Sequence, residues 1–304
     1  MKKIFLGVFL ALASVVLVQV GCDPKATPAS ATVPAAVNFP STTGTVLRTP
    51  PSPYGIVLDP AGNLFVVSRW NGNVLKYMPG FGAPVTLASG LNYPAAIVRD
   101  TAGNLYVGDE NGKIFKITPS GVQSIFASGF NYPRGLAMDG AGNIYVADDY
   151  SYGIYKVTTA GVVTNIANPH GNSSQTDGPV ASAGFYYPQG IAVTKDGSTV
   201  YVGDYWYRVS KINGGQVTTL TSSLGYPQYL TWDTTGNLIV SDNTNGLVQL
   251  NVTTNVITPL STFTTNPRGV VVVDKNTLIV ANSNGRYNAA NQPIYKITLS
   301  SFVK

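Results

Sequence analysis

The sequence predicts an all-β fold: a six-bladed β-propeller of four-stranded antiparallel blades, its ring closed by an N-terminal strand that completes the last blade. Three observations predict it. Six prolines, Pro53, Pro94, Pro133, Pro188, Pro227 and Pro267, recur at spacings of 41, 39, 55, 39 and 40 residues. Nine residues after each comes a turn: Gly62-Asn63, Gly103-Asn104, Gly142-Asn143, Gly197-Ser198, Gly236-Asn237 and Asn276-Thr277. A polar residue then ends the next apolar run, 15 residues after the proline in five repeats (Ser68, Asp109, Asp148, Asp242, Asn282) and 16 after it in the fourth (Asp204). A period near 40 residues, filled with short strands between turns, is that of a propeller blade. One small sheet cannot bury both faces alone, whereas several packed radially can.

Composition agrees and narrows the function. Of 304 residues 44% are hydrophobic and 11% charged, with 32 Gly and 20 Pro. That balance excludes disorder for most of the chain. Beyond residue 22 no stretch keeps a helical apolar period free of Gly or Pro, which excludes long helices. There is one Cys, one His (His170) and one Glu (Glu110). Cys-rich zinc sites, multi-histidine metal sites and Cys–His nucleophile pairs therefore lack their residues. The formal charge of +5 is spread out and forms no Lys/Arg block, so no nucleic-acid partner is expected. No cofactor and no metal are implied, and a monomer is expected.

In chain order, residues 1–21 read as an export signal: Lys2 and Lys3, then the apolar run Ile4–Val18. Gln19 and Cys22-Asp23 interrupt that run before the ~20 residues a spanning helix needs. Gln19-Val20-Gly21-Cys22 resembles a bacterial lipobox, in which the Cys is lipidated and becomes the mature N-terminus; Gln19 departs from the usual Leu. Cleavage without lipid is the alternative. Lipidation accounts for a lone Cys22 in an exported chain, where it has no disulfide partner. Residues 22–42, rich in Pro, Ala, Ser and Thr, read as a flexible tether, and 43–304 as the propeller. The expected location is the bacterial cell envelope, anchored to the membrane through Cys22 on the periplasmic side or the cell surface.

Repeat three shows the blade: strands over 133–139, 144–149, 153–158 and 162–167, each alternating or fully apolar and bounded by turn formers. The sixth repeat reaches its third strand at Ile294–Thr298, and the sequence runs only to Lys304. An unassigned run, GTVLRT (44–49), precedes Pro53 as 122–128 precedes Pro133. It is expected to supply the missing outer strand of blade six.

The phrases PRGLAMDGAGNIYVADD (133–149), DGPVASAGFYYPQG (177–190) and PQGIAV (188–193) resemble NHL repeats, and the resemblance extends over residues 44–304. It implies a six-bladed propeller that binds proteins, RNA or small ligands, or serves as a sensor. Related propellers include lactonases, lyases and strictosidine-synthase-like enzymes, and fold alone does not choose among them. Gluconolactonase-type relatives imply Glu, Asn and Asp on a channel metal, with the Glu early in the first blade; here that stretch offers only Tyr54 and Asp59. Virginiamycin-type lyases imply a His base, a role open to His170. Glu110 is the other candidate base.

The residue after each anchoring proline begins the innermost strand, at the mouth of the central channel: Tyr54, Ala95, Arg134, Gln189, Gln228 and Arg268. Arg134 and Arg268, on opposite blades, are expected to face each other and attract an anion, unless each is paired with a nearby Asp or carbonyl. The loops between second and third strands share this face and carry Trp70, Tyr150, Tyr152, Tyr205, Trp206 and Tyr207. Tyr93, Tyr132, Tyr187 and Tyr226 precede the anchoring prolines and read as wedges between blades. The recurring Asp109, Asp148, Asp204 and Asp242 read as turn carboxylates that accept backbone N–H groups, or as a metal-binding ring. The expected function is a non-catalytic, envelope-anchored propeller binding a protein, glycan or small acidic ligand on this face, through Tyr54, Trp70, Arg134, Tyr150, Gln189, Tyr205, Trp206, Gln228 and Arg268. The alternative is a propeller enzyme, a lyase or lactone hydrolase, with its active site at the same mouth. A structural envelope protein is a third reading.

Overall fold

The computed structural model describes residues 44–261, 266–283 and 292–299; the signal and tether expected over 1–42 lie outside them. Regular structure among the described residues is entirely strand. Blade one runs Pro53–Leu58, Leu64–Ser68, Asn73–Tyr77, Val85–Ala88, and blade two Ile97–Arg99, Leu105–Asp109, Lys113–Ile117, Gln123–Ser128. Blade three runs Pro133–Met138, Ile144–Asp148, Gly153–Val157, Val163–Ala167, within a residue of the strands the sequence predicts. Blade four has Pro188–Val193, Thr199–Asp204, Val209–Asn213, Gln216–Thr221; blade five has Pro227–Trp232, Leu238–Asp242, Gly246–Leu250, Ile257–Ser261. Blade six has Pro267–Asp274, Thr277–Asn282 and Ile294–Thr298, and Thr45–Arg48 pairs antiparallel with the last of these. The N-terminal strand therefore closes the ring. It also covers an edge that would otherwise present open backbone groups.

The core is six separate seams, each shared by consecutive blades, because each sheet is apolar on both faces. Val57, Phe65 and Val74 of blade one pack with Ile97, Leu105 and Val107 of blade two. The seam between blades six and one holds Ile279, Ala281 and Ile294 against Ile56, Leu64 and Val66, with Leu47 of the closing strand packed on it. No blade buries its apolar faces without two neighbours.

Glycine sets how closely the innermost strands approach. A Cβ at Gly55 would lie 2.5 Å from the Ala95 carbonyl oxygen, and one at Gly269 would lie 2.7 Å from that of Tyr54. The Pro-x-Gly triplets thus pull adjacent strands together and crowd the intervening residues at the mouth.

The long connection between blades three and four contributes one element the sequence reading lacked. Gly178–Pro179 pairs with Gln216–Thr221 and extends blade four to five strands. The two residues are too few to register as a strand pattern.

Beneath the mouth the axis encloses a cavity of about 120 Å³, lined by Ile56, Ile97, Leu136, Ile191, Leu230 and Val270 among others. Asp59, Arg99 and Asp233 also border it.

Deleting residues 43–50 is expected to lower the melting temperature by on the order of 5–10 °C, as loss of a few kcal/mol does for a chain of this size. Deleting residues 23–40 is expected to leave it unchanged. Equal melting of both truncations, followed by circular dichroism, would contradict closure by this strand.

Candidate active site

Two rings of six residues form the mouth, and both are set by backbone. The first is the post-proline ring identified in the sequence. The second follows one residue after the polar position that ends each second strand: Arg69, Glu110, Asp149, Tyr205, Asn243 and Ser283. In five blades its N–H donates to the carbonyl of the residue preceding the anchoring proline, and in blade two to the carbonyl one residue earlier. The pairs are Arg69 to Ser52 (3.0 Å), Glu110 to Asn92 (2.8 Å) and Asp149 to Tyr132 (2.9 Å). Tyr205 to Tyr187 (3.2 Å), Asn243 to Tyr226 (3.1 Å) and Ser283 to Asn266 (3.2 Å) complete the set. One repeated hydrogen bond thus brings six different side chains to equivalent places.

Tyr54 stands at the centre of what these rings assemble. Its hydroxyl oxygen accepts from Arg134 Nη2 at 2.7 Å and Nε at 3.2 Å. The guanidinium carbons of Arg268, Arg69 and Arg134 lie 5.0, 5.3 and 5.9 Å from its ring centroid. Arg134 is also ion-paired to buried Asp149 at 2.7 Å. Arg69 donates to the Tyr93 carbonyl at 3.1 Å and to the Tyr132 hydroxyl, and Glu110 Oε2 is 3.7 Å from its Nη2. Arg268 is buried, and its Nε and Nη1 have no hydrogen-bond partner among the described residues. Gln189 Oε1, Gln228 Oε1 and Asp149 Oδ1 are likewise buried without one. Such a group of unmet polar atoms marks a place for water or a ligand.

The expected pair of guanidiniums facing each other across the mouth is thus replaced by three guanidiniums around a phenol. Arg134 is held by Asp149 and Tyr54; Arg268 keeps unpartnered donors.

The electrostatics follow. Burial alone would raise the Tyr54 phenol, but Arg134, Arg268 and Arg69, together with the Arg134 hydrogen bond, outweigh it and lower its pKa from 10.0 to about 7. The phenol oxygen accepts from two Arg134 donors and also hydrogen-bonds Arg268, an arrangement that favours the phenolate. Burial lowers Arg268 and Arg69, with Tyr54 opposing, while Tyr54 and Asp149 hold Arg134 above the usual guanidinium value against burial. Burial raises Asp149, and Arg134 opposes that.

The other candidates lie elsewhere. His170 is exposed on the connection between blades three and four and takes no part in the mouth cluster. Glu110, 31% exposed, sits in the second ring beside Arg69 and has no contact with Tyr54 among the described interactions. Asp109, Asp148 and Asp242 accept backbone N–H groups: from Asn92 and Asn111, from Asn131 and Tyr132, and from Gly225, Thr244 and Asn245. Asp204 instead binds Arg208 Nε at 2.7 Å and Nη2 at 2.6 Å. Trp70 packs edge-on against Tyr93, while Trp206 stacks on Tyr186, and no ring pair among the described residues joins the two. Tyr132 is buried with Tyr54 and Ala95. The cavity below the mouth is lined mainly by Ile, Leu and Val, with Asp59, Arg99 and Asp233 at its border.

Sequence reasoning missed Arg69, Asp149 and Asn243. The signal was present: the same register, read one residue past the recurring polar position, gives six different side chains.

No protein-family model and no curated protein matches the chain. Solved structures do. A gluconolactonase from Xanthomonas campestris is similar at 14% identity and TM-score 0.65, covering 95% of this chain and 99% of that one. Regucalcin from Agrobacterium tumefaciens, a calcium-binding protein, is similar at 16% identity and TM-score 0.64, covering 84% and 94%. Virginiamycin B lyase from Staphylococcus aureus, seen with quinupristin as a catalytically inactive histidine-to-alanine variant, is similar at 15% identity and TM-score 0.57, covering 86% and 97%. These likenesses establish the class, a six-bladed β-propeller. These neighbours include a lactonase and a lyase, and the non-catalytic binding module expected from the sequence is withdrawn.

A calcium-binding relative raises the question of a channel metal. The donor set does not fit one. Among the described residues no three His, Cys, Asp or Glu side chains converge, and the axial position is ringed by three guanidiniums. Their fixed positive charge repels a cation and attracts an anion.

Spectrophotometric titration is expected to show one of the 18 tyrosines ionising near pH 7, and its loss in Tyr54→Phe. A lowered pKa means the ionised phenol stabilises the native state fully above pH 10 and loses that contribution as pH falls through about 7. The stability gap between wild type and Tyr54→Phe, followed by denaturant unfolding, should therefore widen from pH 7 to pH 10. A gap that is constant across this window would contradict the assignment.

Proposed function

We propose that the protein is a lyase acting on a carboxylate-bearing substrate at the channel mouth, with Tyr54 as the proton-transfer group. One observation carries this reading: the Tyr54 oxygen is enclosed by guanidiniums, one of which, Arg268, has unpartnered donors. The unpartnered Nε and Nη1 of Arg268 point in different directions, and each offers a one-point, charge-assisted hydrogen bond to a carboxylate oxygen. Tyr54, ionised near neutral pH, takes the proton from the carbon next to that carboxylate. Charge then spreads onto the carboxylate oxygens, where the arginines stabilise it. A bond to a leaving oxygen on the adjacent carbon breaks, giving an unsaturated acid. Arg134 positions the Tyr54 oxygen, and Asp149 positions Arg134. Gln189 and Gln228 present carbonyl oxygens to substrate hydroxyls. Tyr54 is largely buried, so substrate enters past Arg69 and Arg134, whose side chains remain 16% and 19% exposed.

The repeat phrases support a divergent NHL-type propeller. The lipobox-like Gln19-Val20-Gly21-Cys22 supports export, with residues 1–21 as signal and Cys22 lipidated at the envelope. Cys22→Ser is expected to shift the protein from the membrane to the soluble fraction and to abolish labelling by fatty acid; unchanged membrane association would refute the anchor.

The lyase reading is tested with carboxylates that carry a leaving oxygen on the β carbon, reading the absorbance of the conjugated product. Rates should rise with pH through about 7 as Tyr54 ionises. Tyr54→Phe is expected to lose about 10²–10⁴-fold in kcat, and Arg268→Gln on the order of 10²-fold in kcat/KM. Full activity of Tyr54→Phe, or hydrolysis without an unsaturated product, would overturn it.

A further inference from the structure

A continuous band of aromatic rings leaves the mouth across blades three to five. It starts at Tyr132, whose ring lies 5.7 Å from the Arg134 guanidinium, and passes to Tyr150 at 5.6 Å. From Tyr150 it runs to Tyr187 (6.0 Å), Tyr205 (6.2 Å), Tyr226 (4.8 Å) and Tyr207 (6.3 Å). Tyr186, 4.6 Å from Tyr187, stacks on Trp206 at 4.5 Å. Tyr205 is close enough to Arg268 to influence its charge, so the band meets the cationic mouth at both Tyr132 and Tyr205.

Two features say what the band is for. Tyr150, Tyr205, Trp206 and Tyr207 are 49%, 37%, 45% and 52% exposed, and the other large exposed side chains (Val46, Met78, Val85, Val122, Ile125, Val162, Val256) lie outside it. The band is thus all aromatic, and nearly all of it tyrosine: apolar faces with hydroxyl tips. Among the described residues, Arg208, next in sequence to Tyr207, is buried and ion-paired to Asp204 and Asp177. A polyanion with a charge on every unit, such as single-stranded nucleic acid, would find that guanidinium already committed.

We propose that the mouth and the aromatic band form one extended site for an acidic oligosaccharide, with a uronate carboxylate seated at Arg268 and neighbouring sugars stacked on Tyr150, Tyr187, Tyr205 and Trp206. Pyranose rings match such a surface, with C–H faces for the aromatic rings and hydroxyl edges for the tyrosine tips. This inference rests on the lyase reading for its chemistry and names that site's substrate class. The step balances without a further reactant. Tyr54 takes the C5 proton, the C5–H electron pair becomes the C4=C5 double bond, and the C4–O bond to the next sugar breaks. The leaving oxygen takes a proton from the Tyr54 hydroxyl or from water.

Calorimetric titration tests it with uronate tetrasaccharides (galacturonate, mannuronate and hyaluronan types), the matching monosaccharides, a neutral tetrasaccharide and an oligothymidylate. At least one uronate tetrasaccharide is expected to bind at least tenfold more tightly than its monosaccharide and than the neutral chain. The double variant Trp206→Ala, Tyr207→Ala should lose at least that tenfold gain, and Trp206→Phe should restore part of it, with circular dichroism and melting unchanged. Tyr54→Phe should still bind the tetrasaccharide but form no unsaturated product. Lack of binding by every uronate chain, equal binding of the neutral chain, preference for the oligothymidylate, or an unaffected double variant would each overturn the proposal. Band-dependent uronate binding without elimination would sink the lyase reading alone. Elimination from small carboxylates that is indifferent to the band would sink this inference alone.

Discussion

Three guanidinium groups share one crowded mouth with two carboxylates and a phenol. Arginine does not give up its proton in a protein. The mouth therefore carries excess positive charge until the phenol ionises or an anion enters. The crowding is a product of the fold. The Pro-x-Gly triplets bring innermost strands within a distance at Gly55 and Gly269 that a Cβ would obstruct. The hydrogen bond from Arg69 to Ser52, and its equivalents, then fix the second ring above the first. A wider axis would leave each arginine to water and Tyr54 with an ordinary phenol pKa.

The propeller also divides labour along its repeat. Positions that recur in kind hold the fold together. The carboxylates of Asp109, Asp148 and Asp242 cap loops in each of their blades, and the apolar strands fill the six seams. Positions that recur in place but differ in kind face the axis. Tyr54, Arg134 and Arg268 interrupt one such ring, and Arg69, Glu110 and Asp149 the other. The two ends of the channel differ in the same sense: the mouth is polar with unmet hydrogen-bonding atoms, and the cavity beneath it is lined mainly by Ile, Leu and Val.

Much of the fold was legible because its causes are local. Blade boundaries followed from proline and turn spacing, and the closing strand from a run left over at 44–49 beside a sixth repeat one strand short. The site was legible only in part. Tyr54, Arg134, Gln189, Gln228 and Arg268 are placed by sequence register. That Tyr54 would reach between Arg134 and Arg268, and that Asp149 would claim Arg134, depends on side-chain reach across three blades, which register does not encode. His170 drew attention by rarity and by the His base that a lyase resemblance implies, and it stands exposed. Gly178–Pro179 pairs over two residues, too short for any periodicity to reveal.

The central claim is that this channel mouth is an anion site built around Tyr54. Crystals soaked separately in bromide and in a divalent manganese salt, with anomalous scattering measured for each, test it most directly. The account predicts a bromide peak against one of the unpartnered Arg268 donors, Nε or Nη1, and no manganese there. A manganese ion bound beside Tyr54, with the arginines turned away from it, would contradict the account.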